Sequence, residues 1–222
     1  MAELLPPQMV VNSRMLYFGW IPEDPEAVAA LVDSRLTPME TRQVFMNQYV
    51  VDDESQTSGF GAYSLTYIGS DLVGNEVPAD ATPNRWWSHY FNSNAGMREY
   101  ASARGVPATP GRTTIEVSGD TAVVTTYSDD TPVIRSTAKV GPVAGVARGQ
   151  LHYTTDIGGK LVLGRYPYIA QYVDGWSIES LEFLDPSHSV YALRPKQPLE
   201  IVWGFYSPSA SFCYPGGEET IS

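Results

Sequence analysis

Apolar and polar residues alternate in short runs along most of the chain, a pattern typical of strands that bury one face. β-branched and aromatic residues fill these runs, and turn-forming residues flank them. Because so many strands would leave exposed edges in a flat sheet, a closed or strongly curved antiparallel sheet is expected. The runs predict strands over residues 42–51, 60–69, 84–92, 113–119, 121–129, 131–141, 149–156, 168–175, 176–185 and 199–214.

The clearest hairpin lies in the middle of the chain. Gly119-Asp120 is a turn dipeptide between the alternating runs TIEVS and TAVVTTY, which predicts a two-residue turn. The next stretch, VTTYSDDTPVIRS, predicts a second hairpin in the same meander.

Two segments predict helices. Asp24 can cap a helix over residues 25–33 through its side-chain oxygen. Asn94 can cap a second helix over residues 95–104, and Gly105 is a natural residue to end it.

Length and composition indicate a globular protein. The 222 residues contain no repeat and no long linker, so a single domain over residues 1–222 is expected. Hydrophobic residues make up 43% and charged residues 18%, which is unlike a disordered chain. With 14 basic and 25 acidic residues the formal charge is −11, which disfavours nucleic acids and anionic membranes as partners. The lack of a signal sequence and of a long apolar run predicts a soluble, cytoplasmic protein.

Sequence motifs of common active sites are missing. There is no G-x-S-x-G nucleophile elbow, no phosphate-binding G-x-x-x-x-G-K-[ST] loop and no H-E-x-x-H zinc motif. The single cysteine, Cys213, rules out an intrachain disulfide and a cysteine-based zinc site. His89, His152 and His188 are far apart in sequence and have no second ligand at metal-binding spacing. Neither a metal nor a cofactor is therefore expected.

Two polar residues within apolar runs are candidates for chemistry. In NRWWSHYFN, alternation with a period of two predicts that Arg85, Trp87, His89 and Phe91 share one face. His89 is then either hydrogen-bonded within the core or a cavity-lining acid or base that titrates near neutrality. Arg14, in VVNSRMLYF, is either part of a surface ion pair or a clamp for a ligand carboxylate.

Four stretches together resemble the acetoacetate decarboxylase superfamily over nearly the whole chain. The most specific motifs are Ser-Gly-x-Gly-x-Tyr in the second stretch and Arg-Glu on the helix before a proline in the third. The resemblance implies a mainly β (α+β) fold, a cone-shaped antiparallel β-barrel with a few flanking helices, and a homo-oligomer. The stretches are NSRMLYFGWIPEDPEAVAALV (12–32), TSGFGAYS (57–64), YFNSNAGMREYASARGVP (90–107) and LEIVWGFYSPSASFCY (199–214).

The family's decarboxylases hold a pair of lysines, one of which condenses with the ketone of a β-keto acid. An ungapped match through the helix puts this pair at Ala108 and Thr109, in the expected loop GVPATPG (105–111), and neither residue can form a Schiff base. The chain has only three lysines, Lys139, Lys160 and Lys196, and all three fall in surface-type segments.

The resemblance also implies changes at the other site positions. Leu65 and Asn47 stand where the family has glutamates, whereas Arg14 matches the family's active-site arginine. Decarboxylation through an iminium is therefore disfavoured.

We accordingly expect an enzyme of this fold that acts without a Schiff base on a small keto compound or a polyketide-like intermediate. Arg14 would anchor a carboxylate, enolate or carbonyl oxygen, and His89 or a nearby tyrosine would move protons in an isomerisation, dehydration, cyclisation or lyase step. One alternative is a Schiff-base β-keto acid decarboxylase with a relocated lysine, Lys139 or Lys160. Another is a non-catalytic small-molecule binding protein. The expected substrate-binding residues are Asn47, Tyr63, Leu65, Trp87, Ala108 and Thr109.

Overall fold

The structure is a computed structural model and describes residues 6–221. Its two helices are α1 (Pro25–Ala29) and α2 (Ala95–Ser102), and short 3-10 turns cover Glu54–Gln56 and Ser189–Leu193. The strands within the described residues are β1 (Gln8–Trp20), β2 (Thr37–Pro38), β3 (Val44–Val51), β4 (Tyr63–Val73), β5 (Asn84–Asn92), β6 (Ala108–Ser118), β7 (Thr121–Ser128), β8 (Thr131–Lys139), β9 (Val143–Ile157), β10 (Lys160–Val173), β11 (Ser177–Phe183), β12 (Ile201–Tyr214) and β13 (Glu219–Thr220).

Seven strands close into a barrel in the order β5-β9-β10-β12-β1-β3-β4 and back to β5. All of these neighbours are antiparallel except β5 and β9, which meet at a parallel bridge between Trp86 and Thr154. The predicted mainly β barrel with a few flanking helices is therefore confirmed.

A second sheet extends the barrel on the side of β5. Strand β6 runs parallel to β5 where Ala108 pairs with Tyr90, and it then leaves the barrel to pair with β7. The antiparallel order is β6-β7-β8-β11. Both predicted hairpins of this sheet are present, with Ser118 opposite Thr121 across the Gly119-Asp120 turn. The loop expected at 105–111 is shorter than predicted, because β6 begins at Ala108.

The barrel wall separates two cores. Along β1, Met15 and Tyr17 face the barrel interior, whereas Leu16 and Phe18 face the second core between the barrel and the second sheet. With both faces buried, β1 has no polar–apolar alternation, so the alternating pattern did not predict it. Strand β10 begins before the predicted start at residue 168, because Gly164 interrupts the sequence pattern in its first half. A glycine is needed there, since the ring of Tyr153 occupies the space that a Cβ would fill.

Strand β5 contains a bulge that reverses part of the predicted alternation. Ile68 of β4 pairs with His89, but the next residue, Gly69, pairs with Trp87, so Ser88 is an extra residue. Trp87 and Tyr90 therefore both face the barrel interior, and Phe91 faces the second core. The prediction that Arg85, Trp87, His89 and Phe91 share one face was therefore wrong for the set as a whole. Arg85 and Trp87 face the interior, whereas His89 and Phe91 lie together on the outer face.

Both helix caps are as predicted. The side chain of Asp24 accepts a hydrogen bond from the backbone N–H of Ala27, and that of Asn94 accepts one from Met97. The helices are shorter than predicted. Gly105 has a positive φ of 75°, and a Cβ there would lie 2.1 Å from the carbonyl oxygen of Asp156. No helix in residues 6–221 has the length and apolarity needed to cross a bilayer.

Candidate functional site

A cavity of about 360 Å³ lies in the barrel interior, and residues of all seven barrel strands line it. Strands β10 and β12 pair only from Tyr168 to Ala170 against Ala210 to Phe212 and then separate. Aromatic and aliphatic side chains form most of the cavity lining. Its polar lining residues within the described chain are Tyr17, Asn47, Tyr67, Thr82, Arg85, Tyr166 and Tyr168.

Arg85 is the cation of this cavity, and the fold holds it on several sides. Its Nε donates to Oδ1 of Asp71 at 3.2 Å, and the two side chains are only 4% and 1% exposed. Gln43 donates to the other carboxylate oxygen of Asp71. The guanidinium carbon lies 4.9–5.0 Å from the ring centres of Tyr17, Phe45 and Trp203. Asp71 does not line the cavity.

A chain of hydroxyl groups continues from Arg85 across the interior. Nη1 of Arg85 donates to the hydroxyl of Tyr17, which lies 3.5 Å from that of Tyr166. The hydroxyls of Tyr166 and Tyr67 are 2.8 Å apart, and Nδ2 of Asn47 donates to Tyr67 at 2.8 Å. Within residues 6–221, Nη2 of Arg85 and the buried Oδ1 of Asn47 have no hydrogen-bond partner.

Burial keeps Tyr17 and Tyr67 protonated. Desolvation raises the pKa of Tyr17 well above its usual value, and this exceeds the opposing attraction of Arg85. Desolvation also raises the pKa of Tyr67. For Arg85, burial acts to lower the pKa, but the interactions with the Tyr17 hydroxyl and the Asp71 carboxylate outweigh it, so the pKa is raised and the guanidinium stays charged.

The cavity therefore offers hydrogen-bond donors and one positive charge. None of the lining residues in the described chain is an aspartate, glutamate, histidine or lysine. Such a lining can hold a carboxylate or stabilise a developing enolate oxygen, and its tyrosines can supply protons. Within the described residues, no three His, Cys, Asp or Glu side chains are grouped so that they could hold a metal ion.

Among the expected substrate-binding residues, Asn47 lines the cavity. Tyr63 and Leu65 are packed in the barrel interior away from the lining, and the Tyr63 hydroxyl lies 2.9 Å from that of Tyr49. Trp87 is also interior and stacks on Tyr153, with ring centres 4.4 Å apart.

Ala108 and Thr109 lie at the start of β6, beside β5. Ala108 packs against the interior core, and Thr109 donates to the backbone carbonyl of Tyr90 at 3.3 Å. Neither lines the cavity, and the interior next to Ala108 is filled by side chains of the aromatic core.

The two predicted catalytic residues lie outside the cavity lining. Arg14 donates through Nε and Nη2 to Asp52, at 2.8 and 2.6 Å, and through Nη1 to the carbonyl of Ile115. His89 lies on the outer face of β5 with Ser88 and Ser189 at hydrogen-bond distance. Burial, with a smaller effect of the neighbouring His188, lowers the pKa of His89 to about 4.

The three lysines also lie away from the cavity lining. Lys139 pairs with Asp120 at 3.2 Å, Lys160 is exposed at the start of β10, and Lys196 pairs with Glu200.

Sequence reasoning missed the central role of Arg85 and its tyrosine partners. The available signal was an arginine within a strand rich in aromatic residues, since arginine is rarely buried without a partner. Its partners Asp71, Tyr17 and Tyr166 come from three other strands, so no sequence spacing connects them.

Comparison with known proteins gives matches at the level of structure. No protein-family model matches the chain, and no curated protein sequence matches it. A solved acetoacetate decarboxylase superposes with a TM-score of 0.71 at 17% identity, over 98% of this chain and 90% of that one. The acetoacetate decarboxylase of Legionella pneumophila gives 0.72 at 11% identity, over 100% and 90%. The enduracididine biosynthesis enzyme MppR, complexed with pyruvate, gives 0.69 at 13% identity, over 100% and 93%.

These similarities span almost the whole of each chain. They confirm the resemblance drawn from the sequence at the level of the fold: the chain has the fold of acetoacetate decarboxylase.

Proposed function

We propose that the protein is an enzyme that binds a small keto acid in the barrel cavity and stabilises its enolate without forming a covalent adduct. The observation that carries this proposal is the buried Arg85 in a cavity whose polar side chains are mainly hydrogen-bond donors and include no lysine. The pyruvate bound to MppR, which shares the fold, supports a small keto acid as ligand.

Negative charge on the substrate would be held by groups that are already in place. The free Nη2 of Arg85 would bind a carboxylate or enolate oxygen, and Tyr17 or Tyr166 would hydrogen-bond the same group. Fixed donors in a cavity of low polarity stabilise an oxyanion more strongly than water does, because they need no reorganisation. Arg85 would thus take the anchoring role predicted for Arg14, and the tyrosines would take the role of proton donor.

None of the described lining residues can act as a general base, because they include no aspartate, glutamate, histidine or lysine. This favours steps that create the enolate by cleavage of a bond to carbon and not by removal of a proton. Loss of carbon dioxide from a β-keto acid is such a step: the C–C bond breaks, its electrons form the enolate, and a proton is then added to carbon. Tyr17 and Tyr67 keep their protons at neutral pH and could supply one. A non-covalent lyase step is therefore favoured over the isomerisation, dehydration and cyclisation that the sequence left open.

The test uses the purified protein with acetoacetate and with pyruvate, followed by ¹H NMR in D₂O. We expect product formation from acetoacetate above the uncatalysed rate, loss of this activity in Arg85→Gln, and a large reduction in Tyr166→Phe. Pyruvate has no β-carboxylate to lose, so it serves as the control, and we expect no exchange of its methyl protons above the uncatalysed rate. His89→Ala and Arg14→Gln should retain it, since these residues lie outside the cavity. Full activity in Arg85→Gln would refute the proposal.

Borohydride treatment in the presence of acetoacetate tests the relocated-lysine alternative. Because Lys139 and Lys160 lie at the surface, we expect no increase in the intact mass of the protein. A covalent adduct would show an iminium and would overturn the non-covalent mechanism.

A non-catalytic binding protein is the second candidate, and the same lack of a basic group among the described lining residues favours it. It predicts saturable binding of keto acids with no turnover and no exchange. The homo-oligomer implied by the family resemblance stays a prediction, which light scattering of the full chain would test.

A further inference from the structure

The size of the cavity exceeds that of the simplest keto acids. At about 30 Å³ for each water-sized group, 360 Å³ holds about twelve non-hydrogen atoms. Pyruvate would fill about half of this volume. Part of the cavity is thus left for a second portion of the ligand.

Most of the cavity lining away from Arg85 and the tyrosine hydroxyls is apolar. The half-buried rings of Trp203 and Phe205 on β12 and Tyr168 on β10 are part of it. The small side chains of Ala170 and Ala210 lie where these two strands pair, and leave room between the rings.

The cation lies next to this aromatic group. The guanidinium carbon of Arg85 is 5.0 Å from the ring centre of Trp203, and Trp203 also packs edge-on against Tyr17 at the same centre-to-centre distance. A ligand that places its carboxylate or enolate on Arg85 therefore meets aromatic surface with the rest of its structure.

We infer that the cavity takes a keto acid that carries a planar aromatic or similarly bulky apolar tail. The charged end binds at Arg85, and the tail lies among Trp203, Phe205 and Tyr168 in the opening between β10 and β12. This inference rests on the proposed function, because it assumes that the anionic end of the ligand is bound at Arg85.

The test is calorimetric titration of the full chain with pyruvate, phenylpyruvate and phenylacetone. Phenylpyruvate has about as many non-hydrogen atoms as the cavity holds. Phenylacetone keeps the ring but lacks the carboxylate. Burying a ring of this size should make phenylpyruvate bind about 10- to 100-fold more tightly than pyruvate. Phenylacetone should bind at least about tenfold more weakly than phenylpyruvate, because it cannot pair with Arg85.

Strand β10 provides a matched pair of variants. Tyr168 lines the cavity and packs over Gly149, whereas Tyr172, which is 40% exposed, packs over Gly145 in the same way and does not line it. Tyr168→Ala should weaken phenylpyruvate about 5- to 30-fold and leave pyruvate within about twofold. Tyr172→Ala should change neither. Phe205→Leu should act like Tyr168→Ala if the tail lies where we place it.

The outcomes separate the two levels of the proposal. If pyruvate and phenylpyruvate bind equally and both lose binding in Arg85→Gln, the tail site is refuted and the proposed function stands. If neither anion binds, both fail. If phenylacetone binds as tightly as phenylpyruvate, the cavity recognises apolar ligands without Arg85, which overturns the proposed orientation of the ligand.

Discussion

The buried ion pair of Arg85 and Asp71 permits a quantitative test that separates stability from ligand binding. In Arg85→Met the carboxylate of Asp71 keeps its burial and Gln43 but loses its cation. Removing one member of a buried pair costs about 3–5 kcal/mol in the free energy of unfolding. With a urea m-value of about 2–3 kcal/mol/M, the unfolding midpoint should fall by about 1–2.5 M.

The double variant Arg85→Met/Asp71→Asn removes both charges and keeps an acceptor for Gln43. Because no unpaired charge remains, its free energy of unfolding should recover to within about 2 kcal/mol of the wild type. Keto acid binding should be lost in both variants, since both lack the cation. Urea denaturation followed by far-UV circular dichroism measures the free energy of unfolding, and calorimetric titration measures keto acid binding.

Arg14→Gln is the control, because its pair with Asp52 is 31% and 49% exposed and such pairs contribute at most about 1 kcal/mol. The reasoning is refuted if Arg85→Met costs no more than this control. It is also refuted if the double variant is destabilised by the sum of the two single effects, since the two charges would then be uncoupled. Restored stability together with retained ligand binding would instead show that Arg85 is only structural.

Other regions of the molecule give further predictions. His89 has its pKa lowered to about 4 by burial, so the unfolded state, with a value near 6.5, takes up its proton first as the pH falls. The free energy of unfolding should therefore decrease by up to about 3 kcal/mol as the pH falls from about 6.5 to 4. The urea midpoint of His89→Gln should lack this decrease. An equal pH dependence of the midpoint in both proteins would show that His89 is not its cause. Gly105→Ala should lower the free energy of unfolding by more than about 2 kcal/mol, because the position has a positive φ and the new Cβ would meet the carbonyl of Asp156. Gly119→Ala, also at positive φ but in open space, should lower it by about 1 kcal/mol. Equal effects of the two variants in thermal unfolding would show that the contact with Asp156 is unimportant. Tyr67→Phe removes the acceptor of Asn47 and should cost about 1–3 kcal/mol in urea unfolding, and no loss of stability would show that the buried amide finds another partner.

Strands with one buried face were predicted from the sequence more accurately than strands with two. The hairpins of β6, β7 and β8 form a sheet beside the barrel, and their turn residues are unambiguous, so the strand ends at these turns were predicted to within one residue. The other end of β6 was predicted less well, because the strand begins at Ala108, five residues before the predicted start. Strand β1 is buried on both faces, which removes the alternation that would reveal it.

The candidate site was predicted less well, because it depends on contacts between distant strands. Asn47 was found through the family resemblance and lines the cavity. Arg85 and Tyr17 become neighbours only through the closure of the barrel, and no sequence spacing encodes that. The position of His89 was missed because the bulge at Ser88 depends on a close approach between β5 and β4, where a Cβ on Gly69 would lie 1.7 Å from the carbonyl oxygen of Trp86.

This bulge allows β5 to contain an extra residue without changing which side chains face the interior. Trp87 lies opposite Gly69 and His89 opposite Ile68, so a strand without Ser88 would alternate regularly with the same partners in β4. His89 would stay on the outer face, and Trp87 and Tyr90 would stay in the interior. Elsewhere in the strand, loss of one residue would turn the side chains that follow it to the opposite face. Ser88 is thus the position at which a change in the length of β5 leaves the composition of the cavity unaltered.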